Sequence, residues 1–403
     1  MNYHDLSKNT LVMDGTPITT PSGFIEIYKE AEYAQDVHYI EKRFTQLETD
    51  ANGIIEKIDR SIEKGKVTLE RGEMNTFRKF LFIISYRNGH RSQQFVEEQF
   101  DEATLQRIKA FQAEHRLQDI RSVWFFNLKN ILESEHWQVA GNPRIFFADR
   151  LDYKVEQDWF HLQFFCTPTG SDFIFTGAMG LSEGSPIQNP ILQLTLDTML
   201  GGSQYWTGAQ SGTSGVLSLS RSWPLTPRLL VILINHFDLI QEQLSPNKNP
   251  TERPYDIQKS YFYDLPKTVH DVTSIPPLSP ATSHMLNAPI ETFTQEHYRL
   301  REELDTMNKL DGKYIDTRVR DLLKCQIGEL TEEQCVRVNV LLLDDCDINI
   351  VFITAKSLRR ALKRYTREGR IRSRADRGVG FQILERDLAA EEKGQAMGSR
   401  SRS

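Results

Sequence analysis

Apolar residues at Ile40, Phe44, Leu47, Ala51, Ile54 and Ile58 recur in steps of three and four, which predicts one long amphipathic helix over about 36–63. Gly65 and Gly72 bracket a predicted turn, after which Phe77, Phe80, Leu81 and Ile84 repeat the period up to Arg87, with Asn88-Gly89 as a stop. The same period returns over 102–114 (Leu105, Ile108, Phe111) and 120–135 (Ile120, Val123, Trp124, Leu128, Ile131, Leu132). The first third of the chain therefore reads as a helical layer.

From Arg144 the pattern shortens. WFHLQFFC (159–166) and DFIFT (172–176), separated by Thr167-Pro168-Thr169-Gly170, read as two paired strands. A Gly/Ser-rich stretch (201–215) leads into VLSLS, and Thr226-Pro227 looks like the N-cap and first turn of an apolar buried helix over about 227–243. Half of the sixteen prolines fall between Ser245 and Pro289, which predicts a long surface connection. Helices are expected near 294–309 and over about 316–326, and Thr331 and Gln334 have capping-box spacing before a helix of about 332–344. INIVFIT (348–354) reads as a buried strand and AKSLRRALKRYTRE (355–368) as the helix after it.

The boundaries that follow are a mainly helical region over 1–137, a strand-rich region over 138–244 ending in the buried helix, and a Pro-rich connection over 245–290. C-terminal helices and a strand over 291–385 complete the same core, and 386–403 is a disordered tail. The fold class is α+β, an N-terminal helical layer packed on a small mixed sheet with a covering C-terminal helix.

Composition removes some classes of protein. A chain of 403 residues with 39% apolar and 26% charged residues has ample material for a core and is neither a disulfide mini-scaffold nor disordered throughout. Four cysteines without a CxxC pair argue for a reducing compartment and against a thiolate zinc site. The longest apolar run is about six residues, Leu229 to Ile234, so no membrane span is expected. The expectation is a soluble protein, cytoplasmic on the simplest reading. No HExxH or Walker A sequence is present, and neither a metal nor a cofactor is implied.

The order and spacing of several blocks resemble the fungal branch of the family called domain of unknown function 4238. These are the long helix with Ile40, Phe44 and Leu47, then FRKFLFIISYRNGHR (77–91), VWFFNLKNILE (123–133), WPLTP with its apolar segment, and INIVFITAKS (348–357). The family pattern has a Ser-Asp-Asn-Pro step after a strand; this chain has Thr176-Gly177-Ala178-Met179 at the nearest place. A fainter resemblance is to fungal arginine-containing cyclodipeptide synthases, which join amino acids from charged tRNAs. It implies a DDxxE motif, and Asp344-Asp345 is the only Asp-Asp pair here, with Ile348 at the Glu position.

Three constellations remain. Between Lys356 and Arg377 there are ten Lys or Arg against two acids, in a chain whose net charge is −6. Arg359, Lys363 and Arg367 lie at i, i+4 and i+8, a spacing that can track a phosphate backbone such as that of tRNA; the plain alternatives are a solvated basic helix end or a nuclear-import signal. Asp344, Asp345 and Asp347 can form a catalytic carboxylate set or a solvated acidic corner. Arg87 and Arg91 can hold a carboxylate or phosphate of a substrate, with His90 exchanging protons, or simply complement a helix C-terminus. Glycine-rich stretches near 177–184 and 201–215 can make an anion nest or hairpin loops. Two readings follow: an enzyme that joins amino acids from aminoacyl-tRNA, or a non-catalytic nucleic-acid-binding or protein-interaction module.

Overall fold

Six consecutive apolar residues carry no helical period, and in the computed structural model of the chain they form a strand. The structure describes residues 2–5, 10–12, 39–87, 94–136, 138–176, 181–187, 216–235, 322–344, 346, 349–368 and 381–390. The elements in chain order are β1 (Asn2–Asp5), β2 (Thr10–Val12), α1 (Tyr39–Asp59), β3 (Lys66–Glu70), α2 (Arg71–Tyr86), α3 (Glu102–Glu114), α4 (Ile120–Glu133) and α5 (Phe147–Trp159). They continue with β4 (Phe160–Cys166), β5 (Phe175–Thr176), β6 (Leu181–Ile187), β7 (Val216–Pro224), β8 (Leu229–Asn235), β9 (Leu322–Glu329), α6 (Glu332–Asp344), β10 (Asn349–Phe352) and α7 (Ala355–Glu368). A further helical segment, α8, covers 381–390.

The larger sheet has the order β3-β9-β4-β8-β7-β6 and is mixed, because β4 and β9 run parallel while its other neighbours are antiparallel. Both faces of its centre are covered. Leu162, Phe164, Leu229, Val231 and Leu233 join the core under α1, α2 and α4; Phe165, Leu230 and Ile232 enter a second core with α6, α7 and α8. That two-sided burial is why β8 is apolar at each position from Leu229 to Ile234 instead of at every second one. A smaller antiparallel sheet, β2-β1-β10-β5, places Ile350 and Phe352 in the second core. The α+β class holds, with the helical layer on one face of the sheet and the C-terminal helices on the other.

Several expectations are corrected. The helix expected over 227–243 is β8 through Asn235. Thr226 closes a tight turn into it, its Oγ1 accepting from the amides of Arg228 (3.2 Å) and Leu229 (3.0 Å). Of the helix expected over 316–326, the described part from Leu322 belongs to β9, whose Leu323, Cys325 and Ile327 alternate inward. Strand β3 occupies the turn expected between Gly65 and Gly72, with Val67 and Leu69 buried. Gly65 adopts φ +65, a left-handed backbone that glycine adopts without a Cβ penalty. The segments 159–166 and 172–176 are not partners, since β4 pairs with β8 and β9 whereas β5 pairs with β10. Helix α5 stands where only strand character was read. The tail expected from 386 still belongs to α8 through 390, with Leu388 buried. The helix near 294–309, the connection over 245–290 and the glycine stretch over 201–215 lie outside the described residues.

Candidate nucleic-acid interface

Helix α7 is amphipathic for a simple reason: Leu358, Ala361, Leu362 and Tyr365 form a stripe buried in the second core, which leaves the opposite face to cations. Lys356, Lys363 and Arg367 are exposed, Arg359, Arg360 and Arg364 flank them part-buried, and no acid occurs between Ala355 and Arg367. At about 100° per residue, Lys356, Arg360, Lys363 and Arg367 share one side of the helix. The expected set Arg359, Lys363 and Arg367 is therefore on this face, with Arg359 at its margin.

The start of α7 is fixed by a buried carboxylate. Asp172 accepts from Thr354 Oγ1 (2.5 Å), Ser357 Oγ (3.0 Å) and the Thr354 amide (3.2 Å), while Asn339 of α6 donates to the Asp172 carbonyl (2.9 Å). A negative charge at a helix N-terminus complements the peptide dipoles and satisfies amides that lack intrahelical partners. Helix α6 begins with the reciprocal Thr331–Gln334 cap, in which the Thr331 amide donates to Gln334 Oε1 (2.8 Å) and the Gln334 amide to Thr331 Oγ1 (3.2 Å). From its first turn Glu332 reaches Arg360 (2.9 Å) and Glu333 reaches Arg364. The Arg360 hydrogen bond and charge hold the Glu332 carboxyl below its ordinary value.

Of the other expected site residues, only Arg87 has a described side chain. Asp344 is the last residue of α6, its side chain outside the described set, and Asp345, Asp347, His90 and Arg91 lie outside the described residues altogether. Arg87 follows α2, its guanidinium carbon 3.6 Å from the centroid of the Phe44 ring; burial raises the carboxyl of Glu48 above its ordinary value, with the Arg87 charge opposing that rise. Phe44 belongs to the core on the far side of the large sheet from α7, so Arg87 and the α7 cations are not brought together. In the small sheet, His4 pairs with Ile350 and Ile350 with Thr176.

A buried polar set between the helical layer and the sheet was not singled out in the sequence. Arg78 donates to the carbonyls of Glu156 (3.2 Å), Gln157 (3.1 Å) and Phe160 (2.7 Å), capping the C-terminus of α5. Its neighbour Lys79 does the same for α4, donating to the carbonyls of Leu132 (3.0 Å) and Ser134 (2.6 Å), and burial brings its ammonium down to about 8. Arg221 of β7 meets Glu156 (2.6 Å) and Asp152 (3.1 Å). Burial, with the Asp152 charge added, raises the Glu156 carboxyl above the ordinary carboxylate range although Arg221 and Arg78 pull it down. One signal could have found Arg221: it shares strand parity with Leu217, Leu219 and the buried Trp223, a charge in an otherwise apolar row.

These groups are tied into contacts between elements. All four cysteines are buried, and burial pushes the thiols of Cys325 and Cys335 up to about 12, which keeps them protonated at neutral pH. His136, whose Nδ1 lies 2.6 Å from the Tyr153 hydroxyl, is brought down by burial to about 3, with the charges of Arg78 and Lys79 adding to the effect. The unfolded chain therefore binds a proton here before the folded one does, and stability is lost as pH falls from 6.5 toward 3. Urea unfolding at stepped pH should show a loss of about 1.4 kcal/mol per pH unit below 6.5 from this site. His136→Gln should flatten that slope; an equal slope in the variant would assign it elsewhere.

Among the described residues no group of three or more His, Cys, Asp or Glu could hold a metal ion, and no helix is long and apolar enough to cross a membrane. A family model described as a protein of unknown function (DUF4238) matches residues 22–356. Neither the curated proteins nor the solved structures contain a match.

Proposed function

Since the chain belongs to the DUF4238 family, whose description assigns no chemistry, its function has to be argued from its own surface, and we propose that it binds the phosphate backbone of RNA, tRNA above all, through the solvent face of α7. The observation that carries this reading is the unbroken run of outward cations from Lys356 to Arg367 on a helix anchored at its start by Asp172 and along its length by the second core. Positions on a rigid helix hold their spacing, and contacts of this kind set affinity without reading bases. A cytoplasmic location accords with a tRNA ligand.

The finer form of the proposal is a fungal enzyme that joins amino acids from aminoacyl-tRNA, of the arginine-containing cyclodipeptide synthase type, with the 344–347 carboxylates acting on the amine and Arg87 and Arg91 binding substrate. What supports it is the resemblance of the sequence blocks and the position of Asp344 at the end of α6, the helix that packs against α7. The non-catalytic reading keeps the α7 surface and needs no such site.

Fluorescence anisotropy with labelled tRNA, titrated at several salt concentrations, tests the surface. Binding should weaken steeply with salt, and Lys363→Gln/Arg367→Gln should reduce the log–log slope by about 1.4–1.8, since each phosphate left unneutralised takes away roughly 0.7–0.9. Absence of binding at low salt, or a slope unchanged in the variant, would remove the proposal. Mass spectrometry of a heterologous host separates the two forms. A cyclic dipeptide that disappears with Asp344→Ala/Asp345→Ala supports the enzyme, and extracts identical to the empty host leave the binding module.

A further inference from the structure

Two of the arginines on α7 are already engaged, and by residues that resemble the proposed ligand in charge. Arg360 is paired with Glu332 and Arg364 with Glu333, two adjacent carboxylates on the first turn of α6, meeting guanidinium groups one turn apart on α7. The carboxylates sit at the surface, Glu332 51% and Glu333 68% exposed, against guanidinium groups that are 41% (Arg360) and 21% (Arg364) exposed. Ion pairs of this exposure contribute little net stability and exchange readily with another anion. Phosphate suits that exchange, because a guanidinium fork donates to its oxygens as well as to those of a carboxylate.

We infer that Glu332 and Glu333 act as an internal competitor for the phosphate backbone, holding Arg360 and Arg364 in reserve and setting the affinity of the α7 surface. This rests on the reading of α7 as an RNA-binding face and adds its regulation. In the free chain Lys356, Lys363 and Arg367 make the first encounter; the backbone then displaces the two carboxylates and recruits the two arginines, and no covalent step is involved. The acidic pair holds the protein off weak anions, since only a polyanion that engages the outer cations first offers enough local phosphate to displace both carboxylates.

The test is a cycle of variants measured against labelled tRNA at about 100 mM salt. Glu332→Gln/Glu333→Gln should bind tRNA about tenfold more tightly than wild type. In the Arg360→Gln/Arg364→Gln background, the same Glu substitutions should give less than a twofold gain. Glu102→Gln/Glu114→Gln, exposed acids of α3, removes the same formal charge away from α7 and should also change affinity less than twofold. Glutamine keeps the size of the side chain and α6 keeps its Thr331–Gln334 cap, so the variants should melt cooperatively near wild type by far-ultraviolet circular dichroism. Wild-type binding with an unchanged Glu332→Gln/Glu333→Gln variant, or an equal gain in the α3 control, would overturn the competitor role while leaving the RNA surface intact. No tRNA binding by either protein, or binding only to vesicles containing phosphatidylserine, would overturn the reading of α7 and the inference with it.

Discussion

Arg78→Ala should lower the unfolding free energy by about 3–5 kcal/mol, enough to leave a marginal domain partly unfolded at 37 °C. The side chain is 6% exposed and its guanidinium satisfies three carbonyls at the end of α5. Truncation leaves those acceptors buried without a charged donor, each at about 1–3 kcal/mol before relaxation. It also removes the positive charge that lowers the Glu156 carboxyl. Arg78→Lys should recover less than half of the loss, because one ammonium cannot span Glu156, Gln157 and Phe160 together. Urea unfolding followed by tryptophan fluorescence measures both variants. A loss below about 1 kcal/mol for Arg78→Ala would show that the α5 terminus finds water or another donor.

Arg221→Met should cost a comparable amount, about 3–5 kcal/mol, for a different reason: it leaves the buried Glu156 facing Asp152 with one fewer cation. Glu156→Leu made alone strands Arg221 less severely, because the half-buried Asp152 remains its partner. The double variant Arg221→Met/Glu156→Leu should lie within about 1–2 kcal/mol of wild type, since replacing both members of a buried pair by apolar groups is often nearly neutral. The cycle isolates the coupling. Additive losses in the double variant would mean that the two side chains are stabilised by their surroundings and not by each other.

The helices that were legible are those whose polar faces look outward. Glu102–Glu114, Glu332–Asp344 and Ala355–Glu368 start and stop where periodicity and capping residues set them. Helix α5 was illegible because its inward face carries Asp149 and Glu156 beside Tyr153, all buried, and polar groups at core positions erase the apolar stripe. The Asp149 carboxylate accepts from Tyr86 (3.1 Å) and Asn127 (2.7 Å), partners from two other helices that no local pattern reveals. Strand β8 was misread for the opposite reason, too many apolar positions instead of too few. Both errors come from tertiary context overriding the local period. On α7 the outward cations could be read from spacing, whereas their division between exposed side chains and those held by Glu332 and Glu333 depends on how α6 packs, which spacing does not encode.

The place of β9 in the large sheet also bears on how the chain is made. This strand sits between β3 and β4, yet it is synthesised roughly 160 residues after β4 is complete. At typical elongation rates that interval lasts on the order of ten to thirty seconds. Throughout it β3 and β4 each present a row of unsatisfied backbone groups toward the gap that β9 will fill, and exposed edges of this kind recruit other nascent chains. A growing polypeptide with this topology is a natural client for ribosome-associated chaperones, and its yield in a foreign host will depend more on protecting that open slot than on the stability of the finished fold.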